Sequence, residues 1–278
     1  MVISNSGTNP TGAVERRIQL AVQVAPEHAD YSEIRNTWAE LDEMGVDLIT
    51  IGDHFYPAFG DRDGRTFEGM TLLAAMAEVV KTAAIGPFVA AITFRNPNLL
   101  ANIARTLDHI SGGRVVLGIG AGSKERDHID YGYPWGSPGA RVSELERAVP
   151  IIKHRLSRLN PPPLGPLPLL IAAGGSRGMR VAAEHADIWH IYAPPAEVAD
   201  KVGAFVEACA LIGRDPDEVT RAAVLGARDR IGDPDEVVAS SGATILTYGI
   251  FAPFDLGPVR EVLAWRDWIN ARGAQAAT

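Results

Sequence analysis

Three short stretches of this 278-residue chain carry side chains or bare backbone that could do chemistry. Asp53 and His54 follow the apolar run at 47–52, and a histidine beside a carboxylate at a strand end can be an oriented proton donor or acceptor. A histidine serving only as a structural hydrogen-bonder fits the same place. Gly174-Gly175-Ser176-Arg177-Gly178 opens a helical pattern, where glycines allow close approach, first-turn amides point outward, and Ser176 and Arg177 add donors for an anion. A plain N-cap by Ser176 reads those residues equally well. Gly118, Gly120 and Gly122 bare the backbone at the end of the run VVLGIG, which suits a flat ring or a phosphate. With Ser123 as third member they make a poor dinucleotide fingerprint: the third glycine is missing, the unit comes fourth in the chain, and no strand end about 20 residues on presents a ribose-binding acid. Tight packing at a barrel rim accounts for the same glycines.

Other chemistries find no support in the spacing. His28, His109, His128, His154, His185 and His190 are scattered without an HxxxH or Cys/His pattern, so no metal site is expected. Asp61, Asp63 and Gly64 open like a calcium loop, but the third ligand and closing Glu are absent and the stretch reads as a solvated turn. No G-x-S-x-G elbow is present.

The elements that must position these groups repeat as strand then helix. Strands are expected at 18–24, 47–52, 85–92, 115–120, 169–173, 187–192, 220–225 and 244–250, most of them unbroken apolar runs of the kind a strand buried on both faces needs. Helices are expected at 31–44, 68–81, 96–111, 139–159, 179–186 and 196–212, with a short seventh at 234–240 and a last at 258–270. Eight such alternations argue for an α/β fold, a (β/α)8 TIM barrel, in one domain over 16–278. The proline-rich segment 159–168 is a short insertion before strand five, and helix seven is abbreviated. In a barrel the carboxyl ends of the strands build the site, which selects Asp53, His54, the 90–93 segment, 120–124, 174–177 and His190.

Composition narrows the partners. With 26 basic and 34 acidic residues, a formal charge of −8, the chain has no general attraction for nucleic acid or anionic membrane. Cys209 is the one cysteine and reads as core. Apolar runs fall short of a membrane span, and residues 1–15, rich in Ser, Asn, Gly and Thr, read as a flexible tail on a cytoplasmic protein. The residues alone thus reach a barrel whose rim could hold a phosphorylated, ring-bearing ligand, and stop short of a reaction.

Four longer motifs go further. GDHF at 52–55, TFRNPNLLANIARTLDHISGGRVVLGIGAG at 93–122, ERDHIDYG at 125–132 and AAGGSRGMRVAAEHADIW at 172–189 resemble the luciferase-like monooxygenase family, in its branch using the deazaflavin coenzyme F-420. The resemblance implies a TIM barrel with the ring across the strand ends. It implies ring contacts from Asp53 and His54, with His54 as the catalytic proton-handling group. It implies a bulge with a non-prolyl cis peptide near 88–90, with Val89, Ala90 and Ala91 behind the ring. Gly122, Ser123 and Arg126 would be further coenzyme contacts, and Ala172, Ala173, Gly174, Gly175 and Ser176 would surround its phosphate. The activity implied is hydride transfer between the deazaflavin C5 and a small organic substrate, in a homodimer. The alternatives are an FMN-dependent luciferase-like monooxygenase and a non-catalytic deazaflavin-binding member. Relatives that oxidise glucose 6-phosphate carry Trp and Glu where this chain has Ala58 and Ser123, which argues against that substrate.

Overall fold

Strands buried on both faces dominate the structure, as in Leu48–Ile51, LITI, where all four residues are inaccessible. The computed structural model describes residues 17–228 and 230–276; the expected tail lies outside them. In chain order the elements are β1 (Gln19–Val24), α1 (Tyr31–Glu43), β2 (Leu48–Ile51), α2 (Gly69–Val79), β3 (Ala84–Pro87), β4 (Ala90–Ala91), α3 (Pro97–Ser111), β5 (Leu117–Gly120), α4 (Glu125–Asp130), α5 (Pro138–Leu156) and β6 (Leu169–Ala172). They continue with α6 (Ser176–His185), β7 (Ile188–Ile191), α7 (Val198–Leu211), β8 (Thr220–Ala227), β9 (Arg230–Ile231), α8 (Pro234–Ser241), β10 (Ile245–Ile250) and α9 (Gly257–Ala276).

The strands pair in the order β3-β2-β1-β10-β8-β7-β6-β5-β4, all parallel, with β9 turning back antiparallel on β8. β3 and β4 are two halves of one barrel strand, the first hydrogen-bonded to β2 and the second to β5. The parallel bridge between Ile85 and Val115 brings the two edges together, so the sheet closes as an eight-position barrel ringed by helices.

Inside, one residue from each position packs into a separate apolar plug: Ala21, Leu48, Ala84, Val116, Leu170, Ile188, Ala222 and Ile245. Two residues further along each strand, alternation turns the next set inward, and it changes character: Gln23, Thr50, Gly86, Gly118, Ala172, His190, Val224 and Thr247. The amino end of the barrel is therefore sealed with hydrocarbon and the carboxyl end is floored with polar and small residues.

The eight alternations and the short seventh helix match the expectation; Asp233 caps that helix and Pro234 starts it. The third strand is broken, with a non-prolyl cis peptide at Phe88-Val89, where the resemblance placed it. Three local differences appear. A short helix, α4, forms within the ERDHIDYG motif, helix α6 begins three residues earlier than its apolar spacing indicates, and β9 adds a hairpin to β8.

Candidate active site

The break in the third strand organises the carboxyl rim. Gln23 Nε2 donates to the Phe88 carbonyl at 2.7 Å, the Phe88 amide donates to Ile51 O at 2.8 Å, and the Phe88 ring stands edge-on against His190 at 4.5 Å. Val89 then lies over β5. A Cβ on Gly120 would come within 2.8 Å of Val89 Cγ2, and one on Gly118 within 2.3 Å of the Pro87 carbonyl. These two glycines make room for the bulge, so the packing reading of them holds and the phosphate reading does not.

Asp53 is buried and fully engaged. It takes the Ala91 amide at 2.9 Å and a two-pronged ion pair from Arg95 at 2.6 and 2.8 Å, and Arg95 reaches Glu68 at 2.6 Å as well. Burial alone would raise the Glu68 carboxyl; hydrogen bonds from Thr71 and the charge of Arg95 outweigh it and hold the group below its ordinary range. The Asp53 carboxylate thus clamps the second half of the broken strand, and only its backbone is left for a ligand.

His54 points elsewhere. Its Nδ1 donates to Asp127 Oδ2 at 2.7 Å; the histidine side chain is 31% exposed and the aspartate 2%. Asp127 rides on α4, which is pinned by its neighbour. The fully buried His128 meets Lys124 O through Nδ1 and the Thr93 hydroxyl through Nε2, both at 2.7 Å. A carbonyl only accepts, so His128 carries its proton on Nδ1 and Thr93 donates to the other nitrogen. Gly122, at φ +83°, lies against this pair, and a Cβ there would sit 2.9 Å from Thr93 Oγ1. Aromatic rings seal the joint: Phe55 stacks on Tyr131 at 4.2 Å and packs on Phe94 at 4.6 Å. Asp127 was not singled out from the sequence. Seventy-three residues separate it from His54, and no local spacing reports such a pair.

Across the rim, Ala172 ends β6 and Ala173-Gly174-Gly175 lead into α6. Gly175 is the N-cap and no side chain caps the helix, so the Ser176 reading as a cap is corrected and the first-turn amides are left open to a ligand. A Cβ on Gly175 would meet no protein atom within 4 Å. Arg177 does not join this cradle: its Nε donates to Glu146 Oε1 at 2.8 Å, a second nitrogen pairs with Oε2, and the side chain is tied back to α5.

The remaining expected contacts are more dispersed. Ser123 is exposed beside Gly122. Arg126 is spent on Asp63 at 2.5 Å, Arg62 O at 2.9 Å and Asp130 at 3.3 Å, and covers the Tyr56 ring at 3.8 Å. It closes the 60–66 loop, in which Asp61 takes the Asp63 amide at 3.0 Å, as a solvated turn does. His190 is buried in the floor, with burial pushing its pKa down to about 3. Glu27, after β1, is a rim carboxylate that spacing did not mark; it is buried, with Oε2 unpartnered among the described residues. The described residues bring together no group of three or more His, Cys, Asp or Glu side chains that could hold a metal, and contain no helix long and apolar enough to cross a membrane.

The arrangement offers, on one rim, a hydrogen-bonded imidazole, a bulge held from behind by Gln23 and Asp53, and an uncapped helix start with glycines before it. Such a set can hold a planar ring with a phosphoryl tail and move a proton next to it.

The chain is 28% identical over 151 residues to an F-420-dependent glucose-6-phosphate dehydrogenase of Amycolatopsis mediterranei, covering 48% of this chain and 45% of the relative. It is 28% identical over 228 residues to a phthiodiolone/phenolphthiodiolone dimycocerosates ketoreductase of Mycobacterium tuberculosis, covering 69% of this chain and 60% of the relative. The chain thus spans about half the length of the curated relatives it matches. In structure it resembles an F-420-dependent secondary alcohol dehydrogenase bound to an F-420–acetone adduct, with TM-score 0.73, 16% identity and coverage of 87% and 96%. It also resembles the coenzyme F-420-dependent tetrahydromethanopterin reductase of Methanopyrus kandleri, with TM-score 0.68, 18% identity and coverage of 89% and 96%. The family model described as luciferase-like monooxygenase matches residues 13–240, most of the barrel including both halves of the rim, and the chain belongs to that family.

Proposed function

We propose that the protein is an F-420-dependent oxidoreductase that interconverts a small alcohol and its carbonyl form. The observation that carries this reading is the pairing, on one barrel rim, of an imidazole backed by a buried carboxylate with an uncapped, glycine-led helix start. Relatives named as F-420-dependent dehydrogenases and a ketoreductase support the coenzyme and the reaction class. When bound, a deazaflavin supplies a carbon, C5, that takes up or releases a hydride and reacts poorly with oxygen.

The chain's own residues do the rest. Open amides at Gly175 and Ser176 would grip the phosphoryl end. The Val89–Ala91 segment, fixed through Gln23 and Asp53, would back the ring, and Gly122 with Ser123 would border it. His54 would accept the hydroxyl proton during oxidation and return it during reduction. Ala58 and Ser123 leave glucose 6-phosphate a poor candidate substrate. A homodimer and a cytoplasmic setting go with this reading, for light scattering and cell fractionation to check.

Fluorescence titration of the purified chain with F-420 and with FMN tests the reading. Micromolar binding of F-420 is expected, with FMN clearly weaker. Gly175→Asp should weaken F-420 about 100-fold by setting a carboxylate against the phosphoryl group. Tight FMN binding with oxygen consumption would replace this reading by a flavin monooxygenase, and binding of F-420 without turnover of any alcohol or ketone would leave only a coenzyme-binding protein.

A further inference from the structure

We infer that Asp127 is a positioning residue for His54, fixing the imidazole tautomer so that Nε2 is the bare, proton-accepting nitrogen presented to a bound molecule. A carboxylate only accepts hydrogen bonds, so the 2.7 Å contact to Asp127 Oδ2 requires the proton on His54 Nδ1. Nε2 is then left without a proton in the neutral ring. When it takes one, the Asp127 charge compensates the imidazolium at the far nitrogen.

The surroundings reserve Asp127 for this task. Asp53, next to His54 in the chain, is neutralised by Arg95, which also holds Glu68. Arg126, next to Asp127, is turned onto Asp63 and Asp130. On the following residue, His128 is locked between Thr93 and Lys124, so α4 cannot slide and the Asp127 carboxylate stays at one depth. The aspartate is buried while the imidazole is partly exposed, the order expected of a pair that anchors on the protein side and works on the other.

The inference rests on the proposed reading for its direction of use. In the alcohol-to-carbonyl sense, the substrate O–H bond breaks and its proton goes to His54 Nε2, while the carbon gives its hydride, with both electrons, to the F-420 coenzyme. The reverse exchange returns both. Asp127 makes the neutral ring an acceptor in one direction and stabilises the charged ring as a donor in the other.

The test needs no coenzyme. Nitrogen-15 NMR of the histidine-labelled full chain should show His54 as the Nδ1–H tautomer near neutral pH. Asp127→Asn, whose amide can donate, should shift the ring toward Nε2–H. Asp127→Glu should restore the wild-type tautomer. If turnover is found, Asp127→Asn should reduce kcat about 100-fold with little change in KM. Its F-420 affinity should stay within about threefold of wild type, because the phosphate cradle lies at the end of a different strand. A wild-type Nε2–H tautomer, or an Asp127→Asn variant whose tautomer is unchanged, overturns the inference whether or not coenzyme binds. Failure of the wild type to bind F-420, with the tautomers as expected, overturns the reading of function and leaves the positioning role standing.

Discussion

Burial strips His190 of water and leaves its Nε2 a hydrogen bond to Thr247 at 3.3 Å; because the Thr247 hydroxyl donates to Ala223 O at 3.2 Å, the histidine must be the donor. The ring stays neutral, and its pKa falls from an ordinary 6.5 to about 3. Between those values the unfolded chain binds more protons than the folded one, so this stabilisation is complete above about pH 6.5 and is lost as pH falls toward 3. The loss is on the order of several kcal/mol at its limit. Replacing His190 with Gln should flatten the fall of the urea midpoint between pH 6.5 and 4 relative to wild type; an unchanged slope would count against a neutral buried ring. Asp53 and His54 make the complementary case. Asp53→Ala should cost about 3–5 kcal/mol because it leaves Arg95 buried with one partner, whereas His54→Ala should cost about 1 kcal/mol or less; calorimetry distinguishes them. Residue types at the strand ends were legible in the sequence. Their partners were not, since Asp127, Arg95 and Thr247 reach these groups through the closed fold and from distant stretches.

A strand that breaks in the middle of an apolar run cannot be found by periodicity. Residues 85–92 are apolar whether the chain runs straight or bulges, and only the family resemblance placed an irregularity near 88–90. The matching signal was on the neighbouring strand, as Gly118 and Gly120, where bare backbone could be read as a ligand platform or as room for a protruding neighbour. Their surroundings now separate the two. Gly120→Ala meets a Val89 methyl at 2.8 Å and should destabilise by about 1–3 kcal/mol, with Val89→Ala recovering much of the loss. Gly118→Ala meets backbone, the Pro87 carbonyl at 2.3 Å, and should cost more without rescue by Val89→Ala. Denaturant melts of the three single and two double variants measure both; equal rescue at the two sites would show that Val89 is not what Gly120 accommodates. Helix α4 escaped for another reason. Six residues make too little of a turn pattern to stand out, and what holds Glu125–Asp130 helical is the anchoring of His128 between Lys124 O and Thr93.

Closure of the whole molecule depends on its two ends meeting, and here the amino-terminal face of the barrel carries the fastening. β1 pairs with β10, and the Asn270 side chain of α9 accepts from the Ile18 amide at 2.8 Å and donates to its carbonyl at 2.9 Å. Arg266, also on α9, is buried and donates to Gly45 O at 2.8 Å and to Asp47 at 2.6 Å, just before β2 begins. Asp47 in turn takes the Leu20 amide at 2.9 Å, so one ion pair ties the last helix to the first two strands. The count of alternating units was legible because strands covered on both faces and helices covered on one leave different apolar periods. The fastening was not, because an arginine and an asparagine on a terminal helix look like solvent-facing residues until the barrel closes around them. Arg266→Ala strands Asp47 in a partly buried site and should cost about 3 kcal/mol, while Arg260→Ala, whose partner Glu40 is exposed, should cost under about 1 kcal/mol. The Arg266–Asp47 pair belongs to the end of the barrel away from His54 and Gly175. Coenzyme titration of the folded Arg266→Ala protein should therefore match wild type even as its melting temperature falls, and a parallel loss of F-420 affinity would show that the two ends of the barrel are not independent.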